Sequence, residues 1–157
     1  MIAAVALAGT LALAACQPSA SIASPVVAAQ SGLSQAQLTV SGHGRTRRFT
    51  VEVATTPADQ ERGLMFRQHL APDRGMIFPF PRPMVATFWM KDTLIPLDLV
   101  FIRADGTIAN IAANARPMDL SIISSEGPVS TVLEIAGGRA AELRIQAGDR
   151  ARWTTPR

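Results

Sequence analysis

The segment 88–100, FWMKDTLIPLDLV, contains the side chains of this chain that are best suited to recognise a ligand. Lys91 and Asp92 interrupt its first apolar run, and Asp98 separates Leu97 from Leu99. A carboxylate inside an apolar strand is costly to bury unless a donor or water reaches it. We therefore expect either a donor beside Asp98 or an opening to solvent at that strand end.

A hairpin is the element expected to position this acid. Two apolar runs flank Asp105-Gly106, a pair that favours a two-residue turn because both central residues take positive φ. The pattern predicts strands over about 97–103 and 107–113.

In that register Asp98 lies opposite Ala113, and Val100 lies opposite Ile111. Asp98 then shares a sheet face that is otherwise apolar, and the small alanine beside it leaves room for another group. The expected donors are Lys91, Arg62 and Arg67, with Thr93 as a neutral helper.

These features together predict a shallow polar pocket at one end of the hairpin. Its predicted ligand-binding residues are Arg62, Trp89, Lys91, Asp92, Thr93 and Asp98. Two structural alternatives remain open: Lys91 and Asp98 form an ion pair that sets the strand register, or Asp98 caps a loop amide. Structural ion pairs are as able to perturb such a site as functional ones.

Other chemistries have weaker signals. Thioethers select Cu(I), so Met65, Met76 and Met90 form an alternative soft-metal set, although Met is also a common core filler. Neither His43 nor His69 belongs to a catalytic motif, and no GxSxG or phosphate loop occurs. We predict no catalytic residue, no metal in the main interpretation and no cofactor, with an uncharacterised hydrolase kept as an alternative.

The first sixteen residues indicate export. They carry no charge and end in LAAC, so that Cys16, the only cysteine of the chain, stands where a bacterial lipoprotein is lipidated. Residues 1–16 are therefore predicted to be a signal peptide, residues 17–41 a flexible tether and residues 42–157 a single β domain. The predicted location is the periplasmic face of a bacterial membrane, through a lipid anchor.

The rest of the chain predicts many short strands and two small helices. Alternation in RRFTVEV indicates a half-buried strand, and Thr56 can cap a helix that begins at Pro57 and runs to about residue 66. A proline-rich turn is expected over 79–83, a strand over 131–135 and a helix over about 139–143. The fold class is mainly β, a compact antiparallel β-sandwich or barrel with two short helices.

Several ordered motifs resemble the domain of unknown function 192 family, a group widespread in bacteria and archaea. The resemblance covers approximately residues 49–153, and its motifs are RGLMFR, GMIF, FWMKDTLIPLD, the Asp105-Gly106 turn, VLE and GDR. It implies a compact all-β fold and brings no established activity.

The functional hypothesis is a lipid-anchored, monomeric module that binds an unknown small molecule or envelope component. The formal charge of +3 is scattered, with no basic stripe, so no nucleic acid partner is expected. Cu(I) handling and a purely structural envelope role are the alternatives.

Overall fold

The computed structural model describes residues 31–154. In chain order they form β1 (Gln35–Gly42), β2 (Arg45–Val53), α1 (Pro57–Arg62), β3 (Arg74–Met84), β4 (Thr87–Phe88), β5 (Leu97–Ile102), β6 (Ile108–Ala115), β7 (Ile123–Ser124), β8 (Val129–Ala136), α2 (Arg139–Glu142) and β9 (Arg150–Thr154). A mainly β fold with two short helices is confirmed.

The tether expected over residues 17–41 ends earlier, because β1 begins at Gln35. The expected signal peptide and Cys16 lie outside the described residues.

Seven strands form one mixed sheet in the order β6-β5-β8-β3-β2-β1-β9, and β4 pairs with β7 separately. The sheet is mainly antiparallel, and its one parallel pair among the described residues is β2 with β3. A parallel pair needs a long crossover, and the segment between these strands contains α1. The two sheet edges meet at one end, where Thr107 bridges Arg150, although the barrel is not closed.

Both faces of this sheet are covered at β5, which explains why the sequence of this strand is an almost continuous apolar run. All six of its residues are buried. Val100 and Ile102 pack into one hydrophobic cluster, whereas Leu99 and Phe101 pack into a second cluster on the opposite face. Alternate side chains of a strand point to opposite faces, so a doubly covered strand is apolar at both.

Two predicted element boundaries are wrong for local reasons. Thr56 caps α1 as expected, its hydroxyl accepting a hydrogen bond from the Asp59 amide at 3.2 Å, but the helix ends at Arg62. Gly63 follows with a φ of 46°, which a helix cannot continue. The proline segment 79–83 is part of β3 rather than a turn, and the pairing of β3 with β8 is irregular there.

The Asp105-Gly106 hairpin exists, with a longer loop than predicted. The Arg103 amide donates to the Thr107 carbonyl at 2.9 Å, so three residues form the loop, and Gly106 adopts a φ of 86° whereas Asp105 does not take positive φ. This is the arrangement of a three-residue hairpin loop with a left-handed last residue.

The predicted register of this hairpin is only partly right. The pairing of Val100 with Ile111 is confirmed. The expected pairing of Asp98 with Ala113 is wrong, because an irregularity in the ladder separates the Leu97–Ala115 pair from the Leu99–Ala112 pair.

Candidate functional site

The carboxylate of Asp98 is fully buried and is held by backbone amides. One oxygen accepts hydrogen bonds from the Asn114 amide at 2.7 Å and the Gly138 amide at 2.9 Å. The other accepts from the Ala140 amide at 2.7 Å. Asp98 therefore joins β5 to the end of β6 and to the first turn of α2, as a loop cap.

The predicted ligand pocket around Asp98 is thus not formed. The side chain is 0% exposed, and three amide donors fill the space beside it. The cations expected at this acid bind elsewhere: the Lys91 ammonium lies 5.4 Å from the centre of the Trp89 ring, and the Arg67 guanidinium binds Glu52. Of the two structural alternatives, capping is the one that the geometry matches.

Other predicted site residues do lie close together, on a different surface. Arg62 ends α1, and it lines the same cavity as Trp89, which is half exposed. Lys91 joins these two residues in a neighbouring depression. Asp92 and Thr93 instead hold the loop: the Asp92 carbonyl accepts from the Phe66 amide at 2.7 Å, and the buried Thr93 hydroxyl donates to the Lys91 carbonyl at 3.1 Å.

The alternative soft-metal set is divided by burial. Met76 and Met90 are 0% and 1% exposed and pack inside the second hydrophobic cluster, whereas Met65 lines the cavity. Their positions match the gap-filling use of methionine. Within residues 31–154, no group of three His, Cys, Asp or Glu side chains could hold a metal ion.

A cavity lies between α1, β3 and β4, and we call it the Glu134 cavity. It encloses about 260 Å³. Its apolar lining consists largely of aromatic and thioether side chains, namely Phe78, Phe80, Phe88, Trp89, Met65 and Met84. Phe78 and Phe88 meet edge to face with their ring centres 5.2 Å apart, which fixes one wall.

Glu134, in the middle of β8, projects from the sheet into this cavity. It pairs with Met76 on β3 and with Leu99 on β5, and its side chain lies on the face of the second hydrophobic cluster. Only 5% of the residue is exposed, and it is one of the cavity-lining residues. No hydrogen bond or ion pair joins its carboxyl to another residue within 31–154, and the carboxyl oxygens keep some contact with the open space of the cavity.

Burial raises the pKa of Glu134 to about 8, and the positive charge of Arg67 offsets only part of this effect. Removal from water disfavours the charged form of a carboxyl group, so the proton is retained to a higher pH. Glu134 is therefore mainly protonated at pH 7.

The charge of Arg67 is already used by another acid. Its two terminal nitrogens donate to the two carboxylate oxygens of Glu52 at 2.7 Å each, and both side chains are 9% exposed. Glu52, Met76 and Glu134 are in register across β2, β3 and β8, so both acids lie on one sheet face. The Ser31 hydroxyl also donates to Glu52.

Sequence reasoning did not select Glu134, although a signal was present. The run TVLEIA places an acid inside an apolar strand, as the run LIPLDLV does for Asp98. The same argument from the cost of burying a carboxylate applies to both residues.

The chain matches the model of one known protein family. The DUF192 family, described as "Uncharacterized ACR", matches residues 37–153. The chain belongs to the DUF192 family. The predicted resemblance is confirmed, and this DUF192 chain has no match among curated proteins.

Two solved structures share the DUF192 fold seen here. One is a protein of unknown function from Novosphingobium aromaticivorans, 44% identical, with a TM-score of 0.79, covering 89% of this chain and 100% of its own. Another, from Sinorhizobium meliloti, carries the description "putative transcription regulator"; it is 41% identical, with a TM-score of 0.75, covering 77% of this chain and 95% of its own.

Proposed function

We propose that this DUF192 domain binds a small organic molecule in the Glu134 cavity. The observation that carries the proposal is the carboxyl group of Glu134, a residue that is 5% exposed. This group has no hydrogen bond or ion pair within residues 31–154 and borders an apolar cavity of about 260 Å³. Ligand sites in proteins are usually concave and mostly apolar, with a few polar groups that set orientation.

Folding alone gives no reason for an acid at this position. Taking a carboxyl group out of most of its water costs free energy, whereas an apolar side chain of similar shape would pack against Leu99 and Met76 without that cost. Asp98 shows the contrast, because three amides compensate its burial. A ligand that pairs with Glu134 would supply the missing compensation.

The cellular setting of the proposal comes from the sequence. Lipidation of Cys16 would hold a monomeric binding domain at the periplasmic face of a bacterial membrane, where small solutes and envelope components are the available ligands. Among the described residues, none of the helices has the length and apolar character needed to cross a bilayer.

A thermal-shift screen of the purified full chain in detergent tests the proposal. The panel contains sugars, peptidoglycan fragments, organic amines, carboxylates and metal ions. A ligand present at about 100 times its dissociation constant should stabilise the folded state by about 2.7 kcal/mol.

Two exposed side chains provide matched variants for this screen. Trp89→Ala removes a wall of the cavity and should weaken the shift caused by any hit, whereas Ile122→Ala, which removes a more exposed residue outside the cavity lining, should leave it unchanged. If no compound stabilises the wild-type chain, the binding function is wrong and the structural envelope role replaces it.

Cu(I) binding is a second candidate because Met65 and Met84 both line the cavity. Titration with Cu(I) under reducing conditions tests it. Tight binding that is lost in both Met65→Leu and Met84→Leu would support this candidate, and weak binding insensitive to either substitution would remove it.

A further inference from the structure

We propose that the ligand of the Glu134 cavity is an organic cation, a protonated amine on an apolar body, with Glu134 as its counter-charge. This inference rests on the proposed function and adds the chemical class of the ligand. It depends on the charges that face Glu134 and on the composition of the cavity walls.

The charges around Glu134 leave its carboxylate without a counter-ion of its own. Arg67 is close enough to influence it, but two hydrogen bonds of 2.7 Å commit that guanidinium to Glu52. Glu61 and Arg62, both from α1, also line the cavity, and they carry opposite charges. An ionised Glu134 therefore adds one uncompensated negative charge to this group, which a monovalent cation in the cavity would neutralise.

The walls favour the same ligand class. Four aromatic rings line the cavity, and an ammonium group is attracted to the face of such rings. Trp89 already has the Lys91 ammonium 5.4 Å from its ring centre, so the rings that remain for a ligand cation are those of Phe78, Phe80 and Phe88. An anion would instead meet the ionised carboxylate of Glu134 with a like charge; among the lining residues, Arg62 is the one with a positive charge.

Binding of the cation displaces a proton from Glu134. The neutral carboxyl releases its proton to solvent, and the resulting carboxylate pairs with the ammonium group, so charge and atoms balance. Because burial raises the pKa of Glu134 to about 8, one proton is released per amine bound when the pH is well below that value. The affinity for an amine should then rise by up to about tenfold per pH unit between pH 6 and 7.

The probes are primary amines with aliphatic and aromatic bodies, each matched by the alcohol and the carboxylate of the same body, such as 2-phenylethylamine, 2-phenylethanol and phenylacetate. Calorimetry on the full chain, repeated in buffers of different ionisation enthalpy, measures both affinity and proton release. We expect amines to bind at least tenfold more tightly than the matched alcohols, with close to one proton released at pH 6.5.

Two variants separate Glu134 from an acid outside the cavity. Glu134→Gln keeps the side-chain shape and should lower amine affinity at least tenfold and abolish proton release, whereas Glu126→Gln, which changes an exposed acid outside the cavity lining, should alter affinity less than threefold. Thermal unfolding of Glu134→Gln without ligand checks that the variant folds. Because the substitution removes a buried acid, the melting temperature at pH 8 should not be lower than that of the wild type.

The outcomes distinguish this inference from the proposed function. Equal binding of alcohols and amines, amine binding without proton release, or unchanged amine binding in Glu134→Gln would overturn the organic-cation inference while the cavity remains a ligand site. Binding of carboxylates alone would do the same. If none of the calorimetric probes binds, the organic-cation inference is overturned. If the thermal-shift screen also finds no ligand, the proposed function is overturned as well.

Discussion

Asp98 and Glu134 lie one position out of register on the neighbouring strands β5 and β8, and their carboxyl groups point to opposite faces of the sheet. Asp98 pairs with Ile135, whereas Glu134 pairs with Leu99. On one face, three backbone amides hold the acid. On the other, the acid borders a cavity without a partner in the described part of the chain. The two residues therefore predict opposite responses to substitution.

Replacing Asp98 should destabilise the fold strongly. Asp98→Ala leaves the amides of Asn114, Gly138 and Ala140 without their acceptor, and we expect the free energy of unfolding to fall by about 3 kcal/mol or more. Urea denaturation at pH 7 measures the loss. A change smaller than about 0.5 kcal/mol would show that the amides find water or another acceptor.

Stability should decrease as the pH rises from about 5 to 8. The pKa of Glu134 is about 8 in the folded state and near 4.5 when the chain is unfolded, so the folded state binds more protons in this window. The free energy of unfolding then falls with pH, with a slope from this group that approaches about 1.4 kcal/mol per pH unit. Denaturation at several pH values measures the slope.

Glu134→Gln is the control for this pH dependence, because it removes the titrating group and keeps the shape. The variant should show a flatter profile between pH 5 and 8 and should be more stable than wild type at pH 8. An identical slope in the two proteins would assign the dependence to other groups.

Breaking the Arg67–Glu52 pair should be costly on either side. The pair is bidentate and both side chains are 9% exposed, so Arg67→Met leaves an acid buried without its cation and should cost about 3–5 kcal/mol. The double variant Arg67→Met with Glu52→Gln should recover part of that loss. A double-mutant cycle measures the coupling, and a coupling near zero would contradict the role of the pair.

Removing the Lys91 side chain should have a small effect on folding. Lys91 is an exposed residue whose ammonium group lies over Trp89, an interaction worth about 0.5–1 kcal/mol at an exposed site. We expect Lys91→Ala to cost no more than this. In a double-mutant cycle the effect of Lys91→Ala on stability should add to that of Asp98→Ala. Strong coupling between the two substitutions would instead support an ion pair between Lys91 and Asp98.

Much of the fold is predictable from local patterns. The alternation in β2, the Thr56 cap of α1 and the Asp105-Gly106 turn each depend on residues close in sequence. Local patterns do not decide the features in which a distant segment takes part. The β2–β3 pairing is parallel because the chain crosses over through α1, and the ladder irregularity at Asp98 accompanies the hydrogen bond that its side chain accepts from the Asn114 amide.

The sequence by itself determined that two acids stand inside apolar strands, and that burying each requires compensation. Only the tertiary structure decided how each requirement is met, because the donors to Asp98 come from 16, 40 and 42 positions further along the chain. Glu134 faces instead a space enclosed by α1, β3 and β4, whose closeness follows from the order of strands in the sheet. Hydrogen bonds and cavities depend on which groups are close in space. A one-residue difference in strand register moves a side chain from one face of the sheet to the other and so changes its neighbours.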